Sequence, residues 1–298
     1  MEERVDDGTF TEREIRLLEF LTTVRVATRN QIRKAVFKVS DDEVVVKEFL
    51  RKCRRKGILC AFSWVSPLKS DRKKPLVYAL TRIAVSAAQY VLKRNIHDDF
   101  WFQPIEIQPG RGPEMGPLFQ DLISAELYAE LTHIDRLITW QRSPLLRLQN
   151  GHIHHPTATF EVIKDANEIK LFWLETIRVG QDWVSKTRNR FQKIKIAYDN
   201  VSDYQKPLRI IIVADGDSRI SFLEELAKQY MPDVEVRFTT DERIIAGLGK
   251  DTFLNWDQEK GEPIAKRISF LQPGAPGMTA SEYRSAQFDE DDDEEYDE

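Results

Sequence analysis

The chain has 298 residues, of which 41% are hydrophobic and 31% are charged, and its formal net charge is −5 at pH 7. This composition is typical of a globular chain long enough for two domains, and it excludes a fibrous or wholly disordered protein. The N-terminus is acidic, and no uncharged apolar run approaches the roughly 20 residues that span a bilayer, so we expect no signal peptide and no membrane partner. Two cysteines are typical of a reducing compartment, which predicts a cytoplasmic protein.

The charges are distributed unevenly along the chain. From Arg25 to Arg94 there are 18 Lys and Arg against 5 Asp and Glu, a net of +13, whereas nine of the ten residues from Asp289 to Glu298 are acidic. A basic block of this size indicates a polyanionic partner. The acidic C-terminal segment has few apolar side chains that could form a core, so we expect residues 272–298 to be disordered.

Three patterns typical of helix N-termini stand close together near the start of the chain. They are the capping boxes Thr11-x-x-Glu14, Thr28-x-x-Gln31 and Ser40-x-x-Glu43. In a capping box the hydroxyl accepts from a free helix N–H, and the acid or amide side chain returns to the N–H of the cap residue. The patterns therefore predict three helices, at about 11–21, from about 28, and at about 41–56.

A two-stranded ribbon is predicted after the third helix. Its strands are residues 59–65 and 76–80, which are rich in apolar and aromatic side chains. The loop between them carries four cations, Lys69, Arg72, Lys73 and Lys74. Three helices followed by such a ribbon predict a winged helix-turn-helix over residues 1–100. Prolines and glycines then predict a linker at 101–118.

The third helix has the pattern of a DNA recognition helix. Lys47, Arg51 and Arg54 recur at helical spacing and share one face, and Arg55 follows. Arginine can donate to O6 and N7 of guanine in the major groove, while lysine neutralises phosphates, and the loop cations would contact the flanking backbone. The pattern therefore predicts double-stranded DNA as the partner. The alternative is that these cations only complement the helix C-terminus and remain solvated, in which case the winged module is a protein-only adaptor or a regulator.

Residues 119–271 predict a second domain of a different kind. Their order of elements is helix, three strands, helix, strand, helix, strand, which indicates an α/β domain with a mixed sheet. The predicted fold is therefore α/β (α+β overall). It consists of an N-terminal winged helix-turn-helix, a mixed-sheet α/β domain and the acidic tail.

The second domain resembles the core of the P-D…(D/E)-x-K nucleases, in which carboxylates hold a divalent metal and a lysine assists the attacking water. That chemistry needs an Asp at the end of the second strand and a Lys two residues after the Glu of the third. Here Thr157 and Ile177 stand at those positions and only Glu175 remains. We therefore expect a nuclease-like domain without catalysis, metal or cofactor. The alternative is a metal-dependent nuclease with a rearranged site around Glu175, Glu161 and Asp165.

The helix expected after the third strand carries a second group of cations. Lys186, Arg190 and Lys193 predict a further phosphate-contacting surface, and the alternative is a solvated helix face. Glu175 is expected on an apolar face of its strand, where a carboxylate needs a partner. The residues within reach that could approach it are Glu126, Lys186, Arg188 and Lys193.

Three histidines stand together at the start of the second strand, which is predicted at 153–163, and they raise the question of a metal. Strand alternation places His152 and His154 on one face and His155 on the other, and no cysteine is nearby. This spacing does not match a metal-ligand set, so we predict no metal site here.

Several stretches together resemble the replication-relaxation family of Gram-positive plasmids and integrative elements. They are Thr11–Val24, Gly57–Leu59, Leu76–Arg82, Pro156–Val162, Phe172–Gly180, Lys193–Tyr198, and Leu208–Leu226 including Arg219. Members commonly have an Asp after the Pro of the second strand and an acid two positions after the Glu of the third, whereas this chain has Thr157 and Ile177. The resemblance implies a role in plasmid replication or in conjugative DNA processing. The partners expected besides DNA are a relaxase or replication protein and a second copy of the chain.

Overall fold

The computed structural model describes residues 10–38, 40–62, 76–96, 100, 115–166, 168–178, 180, 182–257 and 259–293. The chain divides into two compact units, Met1–Ala129 and Glu130–Glu298. Both combine helices with strands, and the larger sheet contains parallel and antiparallel pairs, so the expected mixed α/β class is confirmed. None of the helices in these ranges is both long and apolar enough to cross a bilayer.

The first unit contains helices arranged around a small antiparallel sheet. The helices are α1 (Glu12–Val24), α2 (Arg29–Val36), α3 (Glu43–Arg55), α4 (Arg82–Val91) and α5 (Met115–His133), which continues into the second unit. The strands are β1 (Val26–Thr28), β2 (Leu59–Phe62) and β3 (Val77–Leu80), and their order in the sheet is β1-β3-β2. The first three helices and the β2–β3 ribbon follow in the predicted order, whereas strand β1 is not predicted, and the helix predicted from residue 119 begins four residues earlier.

A large apolar cluster packs the helices of the first unit against its small sheet. Leu17, Leu21, Ile32 and Leu80 are wholly buried, and they come from α1, α2 and β3. Each such side chain stabilises the fold by roughly 1.5–3 kcal/mol relative to an exposed one. Tyr128 of α5 packs on the same core, so this helix belongs in large part to the first unit. The unit boundary lies at residue 129, ten residues after the position at which the sequence places the start of the second domain.

The first two capping boxes form as predicted. The Thr11 hydroxyl accepts from the amide of Glu14 at 3.3 Å, and the Glu14 carboxylate accepts from the amide of Thr11 at 3.0 Å. In the second box, the amide of Thr28 donates to the Gln31 side chain at 2.8 Å, and the Thr28 hydroxyl accepts in return. These bonds satisfy donors that a helix N-terminus otherwise leaves free.

The prediction of a third capping box, formed by Ser40 and Glu43, is wrong. The helix begins at Glu43, and its N-cap is Asp42, whose carboxylate accepts from the amide of Val44 at 3.4 Å. The reason lies in the preceding residue, because the carboxylate of Asp41 accepts from the amide of Lys38 at 3.0 Å and holds the chain in a turn. Ser40 therefore precedes the helix.

The second unit is built on a seven-stranded sheet with the order β12-β11-β10-β9-β8-β7-β4. The strands are β4 (Leu137–Arg142), β5 (Leu146–Arg147), β6 (Ile153–His154), β7 (Ala158–Asp165), β8 (Glu168–Ile177), β9 (Arg209–Ala214), β10 (Val236–Thr240), β11 (Leu254–Asp257) and β12 (Glu262–Ala265). The helices are α6 (Trp183–Asn200), α7 (Ile220–Tyr230), α8 (Asp241–Ile245) and α9 (Ala280–Asp293). The pairs β8–β9 and β9–β10 are parallel and the others are antiparallel.

The strand predicted at 153–163 is divided in two. Strand β6 pairs with β5 in a separate hairpin, and β7 enters the main sheet. Pro156 lies between them, and proline cannot donate to a strand ladder. This break carries His154 out of the sheet and onto the hairpin.

Helices α6 and α7 cover one face of the sheet. Phe191 of α6 and Leu223 of α7 are wholly buried in a cluster with Trp173 of β8 and Phe238 of β10. Because side chains alternate along a strand, Glu175 points to this same covered face. The position of Glu175 is therefore fixed between a sheet and a helix.

The prediction of disorder from residue 272 onward is wrong for the described part of that segment. Arg136 is buried and donates to the carbonyls of Met278, at 2.7 Å, and Pro276, at 3.0 Å. The Ser281 hydroxyl, in the first turn of α9, donates to Asp135 at 2.9 Å. The hydrogen-bond partners of this segment, Arg136 and Asp135, lie more than 100 residues earlier in the chain. The composition of the segment gives no sign of these contacts.

Candidate functional site

Helix α3 is anchored on one side and open on the other. Val46, Leu50 and Cys53 are buried in the core of the first unit and recur at positions i, i+4 and i+7. The predicted cations of the helix are all exposed, and they are Lys47, Arg51, Arg54 and Arg55. An amphipathic helix of this kind presents its cationic side to whatever approaches the unit.

Two of these cations have acidic neighbours on the same helix. Lys47 lies 3.8 Å from Glu43, and Arg51 contacts Glu48. All four side chains are about half exposed, and exposed pairs of this type contribute only about 0.3–0.5 kcal/mol. Such pairs are weak enough to exchange a carboxylate for a phosphate. Arg54 and Arg55 form no ion pair with a described residue.

The start of α3 exposes two apolar side chains that the sequence analysis did not single out. Val44 is 59% exposed and Val45 is 40% exposed. An apolar side chain at the N-terminal end of a recognition helix can contact the methyl group of thymine. The signal was present in the sequence, because a run of three valines can bury only the one that faces the core.

The turn before α3 is held by contacts with α1 on one side and with α3 itself on the other. The guanidinium of Arg13 lies 4.7 Å from the ring centre of Phe37 and donates to Asp41 at 3.2 Å. Phe37 in turn meets Phe49 of α3 edge-on, with 5.3 Å between ring centres. These contacts fix the direction of α3 relative to the rest of the unit.

Some cations of the basic block form ion pairs with buried carboxylates and are not available to a partner. Lys34 pairs with Glu126, Arg25 with Asp121, and Lys56 with Glu14, and all three carboxylates are buried. The net charge of the block therefore overstates the charge available to a partner. The loop cations Lys69, Arg72, Lys73 and Lys74 lie outside the described residues.

In the second unit, Glu175 has two partners that the sequence did not identify. The carboxylate is 1% exposed. Its Oε1 atom lies 3.0 Å from Nε2 of His154, and its Oε2 atom accepts from Nε of Arg190 at 2.9 Å and also from Nη2. The prediction of a partner for Glu175 is wrong in all four candidates, which are Glu126, Lys186, Arg188 and Lys193. Only the fold reveals the pairing, because the broken strand carries His154 to the buried face and α6 places Arg190 beside it.

The positions of the lost nuclease motif do not form a metal site. Thr157 is hydrogen-bonded to the hydroxyl of Thr176 at 3.0 Å, and Ile177 lies in the apolar cluster under α6. Glu161 lies opposite Leu171, four residues along β8 from Glu175, which is about 13 Å at the rise of a strand. Asp165, opposite Glu168, is farther still.

The rearranged nuclease site is therefore not assembled. Both oxygens of Glu175 are already engaged, and within the described ranges no three His, Cys, Asp or Glu side chains converge as metal ligands. Of the three neighbouring histidines, His154 contacts the carboxylate of Glu175.

The predicted cationic surface of α6 is likewise divided. Lys186 and Lys193 are exposed, whereas Arg190 is tied to Glu175 and also donates to the carbonyl of His155 at 2.7 Å. Arg190 is therefore not part of a freely solvated row, because a buried carboxylate holds it in place. For Lys186 and Lys193 the phosphate-contacting surface stays a prediction beside its alternative, a solvated helix face.

Charged side chains also lie at the carboxyl ends of the parallel strands, the usual position of ligand sites in open α/β sheets. Arg178 donates to Asp241 at 2.8 Å, and Arg243 binds Asp217 through two nitrogens, at 3.0 and 2.7 Å. Burial raises the pKa of Asp241 although Arg178 opposes that shift. These acids are therefore engaged in arginine pairs.

No protein-family model, curated protein or solved structure matches the chain significantly.

Proposed function

We propose that the chain is a double-stranded DNA-binding protein of a mobile genetic element, acting in the cytoplasm in plasmid replication or conjugative DNA processing. In this proposal the first unit is a winged helix-turn-helix, and α3 enters the major groove. The observation that carries the proposal is the exposure of Lys47, Arg51, Arg54 and Arg55 on a helix whose other side is fixed in the core. The biological setting rests on the resemblance to the replication-relaxation family.

The charges define how α3 would read a duplex. Arg51 and Arg54 would donate to guanine edges, and each bidentate contact discriminates against a wrong base by about 1–3 kcal/mol. Lys47 and Arg55 would neutralise phosphates, and Val44 would contact a thymine methyl group. The loop cations between β2 and β3 would lie on the flanking backbone, as in other winged proteins.

The second unit would act as a scaffold for DNA or protein partners and not as a nuclease. What supports this part of the proposal is that His154 contacts Oε1 of Glu175 and Arg190 donates to Oε2, so both oxygens of this buried carboxylate already have partners. A threonine hydroxyl at position 157 cannot supply the missing charge.

Fluorescence anisotropy with two labelled duplexes tests the proposal. One duplex comes from the replication or transfer origin of the element and the other is its scrambled counterpart, and both are titrated over a salt series. We expect tight binding to the origin duplex, clear preference over the scrambled one, and a steep loss of affinity with salt. Absence of binding at low salt would contradict the proposal and favour a protein-only adaptor, whereas equal affinity for both duplexes would contradict sequence reading.

A further inference from the structure

The second unit contains a surface cavity of about 460 Å³ that the proposed DNA contacts do not use. The β5–β6 hairpin and α6 form its walls. Its lining includes Leu148, Ile153, His154, Arg190, Lys193 and Ile196. Cavities of about 300–1,000 Å³ with apolar walls and a few polar groups are typical of small-molecule sites.

The hairpin wall is fixed by short-range contacts. The amide of Leu148 donates to the carbonyl of His152 at 2.9 Å, and the turn between them contains Gly151, whose φ is +81°. At this φ a residue with a side chain is disfavoured, so glycine closes the turn without strain. The amide of Gln149 donates to the carbonyl of Asn200 at 2.7 Å, which joins the hairpin to the end of α6.

Arg190 is oriented within the cavity by the buried carboxylate behind it. Its Nε and Nη2 atoms bind Glu175, and Nη2 also binds the carbonyl of His155. Its Nη1 atom donates to no described residue, and the side chain is 32% exposed. A guanidinium held by two partners, with one nitrogen still able to donate, is preorganised to bind an anion.

A second cation lies one helical turn away on the same wall. Lys193 is three residues from Arg190, so both are on one face of α6, and Lys193 is exposed without an ion pair to any described residue. The imidazole of His154 forms a further part of the lining and is 4% exposed. Among the residues that the structure describes, the only carboxylate paired with these groups is Glu175, and it is already bound to Arg190 and His154.

Apolar surface stands beside these cations. Ile153 and Ile196 are 53% and 46% exposed although both line the cavity, and Leu148 is buried beneath them. Exposed isoleucines facing one cavity are well suited to pack against a flat, partly apolar ring. An anion alone would not use this surface.

We propose that the cavity binds a nucleoside 5′-phosphate, either as a free nucleotide or as the phosphorylated end of a single strand. Arg190 and Lys193 bind the terminal phosphate, and Ile153 and Ile196 pack against the base or sugar. Glu175, the one residue of the nuclease motif that the sequence retains, acts here as the anchor that orients Arg190. The site is independent of duplex binding by α3, because every lining residue belongs to the second unit.

Isothermal titration calorimetry of the full chain with AMP, dAMP, adenosine and inorganic phosphate tests this proposal. We expect saturable binding of both nucleotides, and weaker binding of adenosine and of phosphate, because each lacks one half of the contacts. The proposal is overturned if adenosine binds as tightly as AMP, or if neither nucleotide saturates at millimolar concentration.

Two exposed lysines of α6 supply a matched pair of variants. Lys193→Ala removes a cation that lines the cavity, and we expect the affinity for AMP to fall about tenfold. Lys186→Ala removes a cation from the same helix outside the cavity, and the affinity should stay within about twofold of the parent. Equal losses in the two variants would overturn the proposed site.

Short oligonucleotides distinguish the two sources of the phosphate. A trinucleotide with a 5′-phosphate and the same trinucleotide with a 5′-hydroxyl are titrated into Arg51→Ala/Arg54→Ala protein, in which the α3 contacts are removed. Preference for the phosphorylated strand over AMP indicates a strand end, and preference for AMP indicates a free nucleotide. Binding of the hydroxyl strand as tight as that of AMP would overturn the proposal, because the phosphate would then contribute nothing.

Discussion

Helices α3 and α6 carry similar rows of basic residues but use them differently. On α3 the neighbouring acids, Glu43 and Glu48, lie on the same helix at the surface, and the pairs are weak. On α6 the acid comes from the sheet below, and Glu175 is 1% exposed. A cation facing a buried carboxylate is held in place, whereas a cation facing a surface acid can exchange its partner.

This difference shows that a row of basic residues in the sequence does not by itself indicate which of them can bind a partner. The helical periodicity of α6 correctly places Lys186, Arg190 and Lys193 near one another, but the supporting sheet decides which of them is free to bind a partner. The same holds in the first unit, where Lys56 belongs to the basic run after α3 and yet pairs with Glu14.

The largest expected effect follows from removing the partner of the buried acid. Arg190→Ala would leave Glu175 with His154 alone, and losing one partner of a buried pair typically costs about 3–5 kcal/mol. We expect the free energy of unfolding to fall by about 3 kcal/mol in urea denaturation followed by tryptophan fluorescence. Arg188→Ala, an exposed cation two positions away, should change it by less than about 0.5 kcal/mol. Equal effects of the two variants would contradict the contrast between the helices.

A large effect on binding, without a comparable effect on stability, is expected for α3. Arg51→Ala/Arg54→Ala should abolish the preference for the origin duplex and weaken binding by at least about 30-fold, because two base-reading contacts are lost. The charge-matched control is Arg16→Ala/Lys93→Ala, which removes two exposed cations of the same unit outside α3. Anisotropy titrations measure both. Unchanged specificity in the α3 variant would refute its role as the recognition helix.

Glu14 gives a smaller effect that depends on pH. Burial alone would raise the pKa of Glu14, but hydrogen bonds from Lys56 and Thr11 outweigh it, and the pKa lies below its ordinary value of 4.5. A carboxyl whose pKa is lowered by folding stabilises the folded state above the unfolded pKa and loses that contribution as the pH falls through the folded pKa.

The corresponding variant is Glu14→Gln. We expect the free energy of unfolding to fall by about 1.5 kcal/mol at pH 7, and the difference from the parent to shrink below pH 4.5. Glu12→Gln, an exposed acid in the same helical turn, is the control and should have little effect at either pH. A difference that persists unchanged at pH 3 would show that the charge of Glu14 is not responsible.

The smallest effect concerns the start of α3. Asp42→Ala removes an N-cap bond and should cost about 1 kcal/mol in thermal or chemical denaturation. Ser40→Ala should cost less than about 0.5 kcal/mol, because Ser40 precedes the helix. A larger loss of stability in Ser40→Ala than in Asp42→Ala would indicate that Ser40 is the N-cap and that the helix begins earlier.

Local signals in the sequence predicted much of the first unit. The Thr11 and Thr28 boxes, the apolar positions of α3 and the β2–β3 ribbon all depend on residues within a few positions of one another, so a linear pattern contains them. Ser40 was misplaced because Asp41 and Asp42 are equally good caps, and only the turn selects between them.

The site in the second unit could not be predicted in the same way. Glu175 is recognisable as a carboxylate on an apolar strand, but its partners lie 21 and 15 residues away on a hairpin and a helix. Pro156 signals the break that moves His154, although nothing in the spacing shows where the hairpin then packs. The ordered structure of the segment that leads into α9 likewise depends on a hydrogen bond from Arg136, more than 100 residues earlier.

The salt dependence of duplex binding tests the contrast between the two helices most directly. Each cation that neutralises a phosphate contributes about 0.9 to the slope of log Kobs against log salt, so Lys47→Ala/Arg55→Ala, which removes the two proposed phosphate contacts of α3, should lower its magnitude by about 2. Lys186→Ala/Lys193→Ala removes the same number of charges from α6 and should leave the slope for a duplex unchanged. A slope that falls in the α6 variant and not in the α3 variant would contradict the account and place the duplex on the second unit.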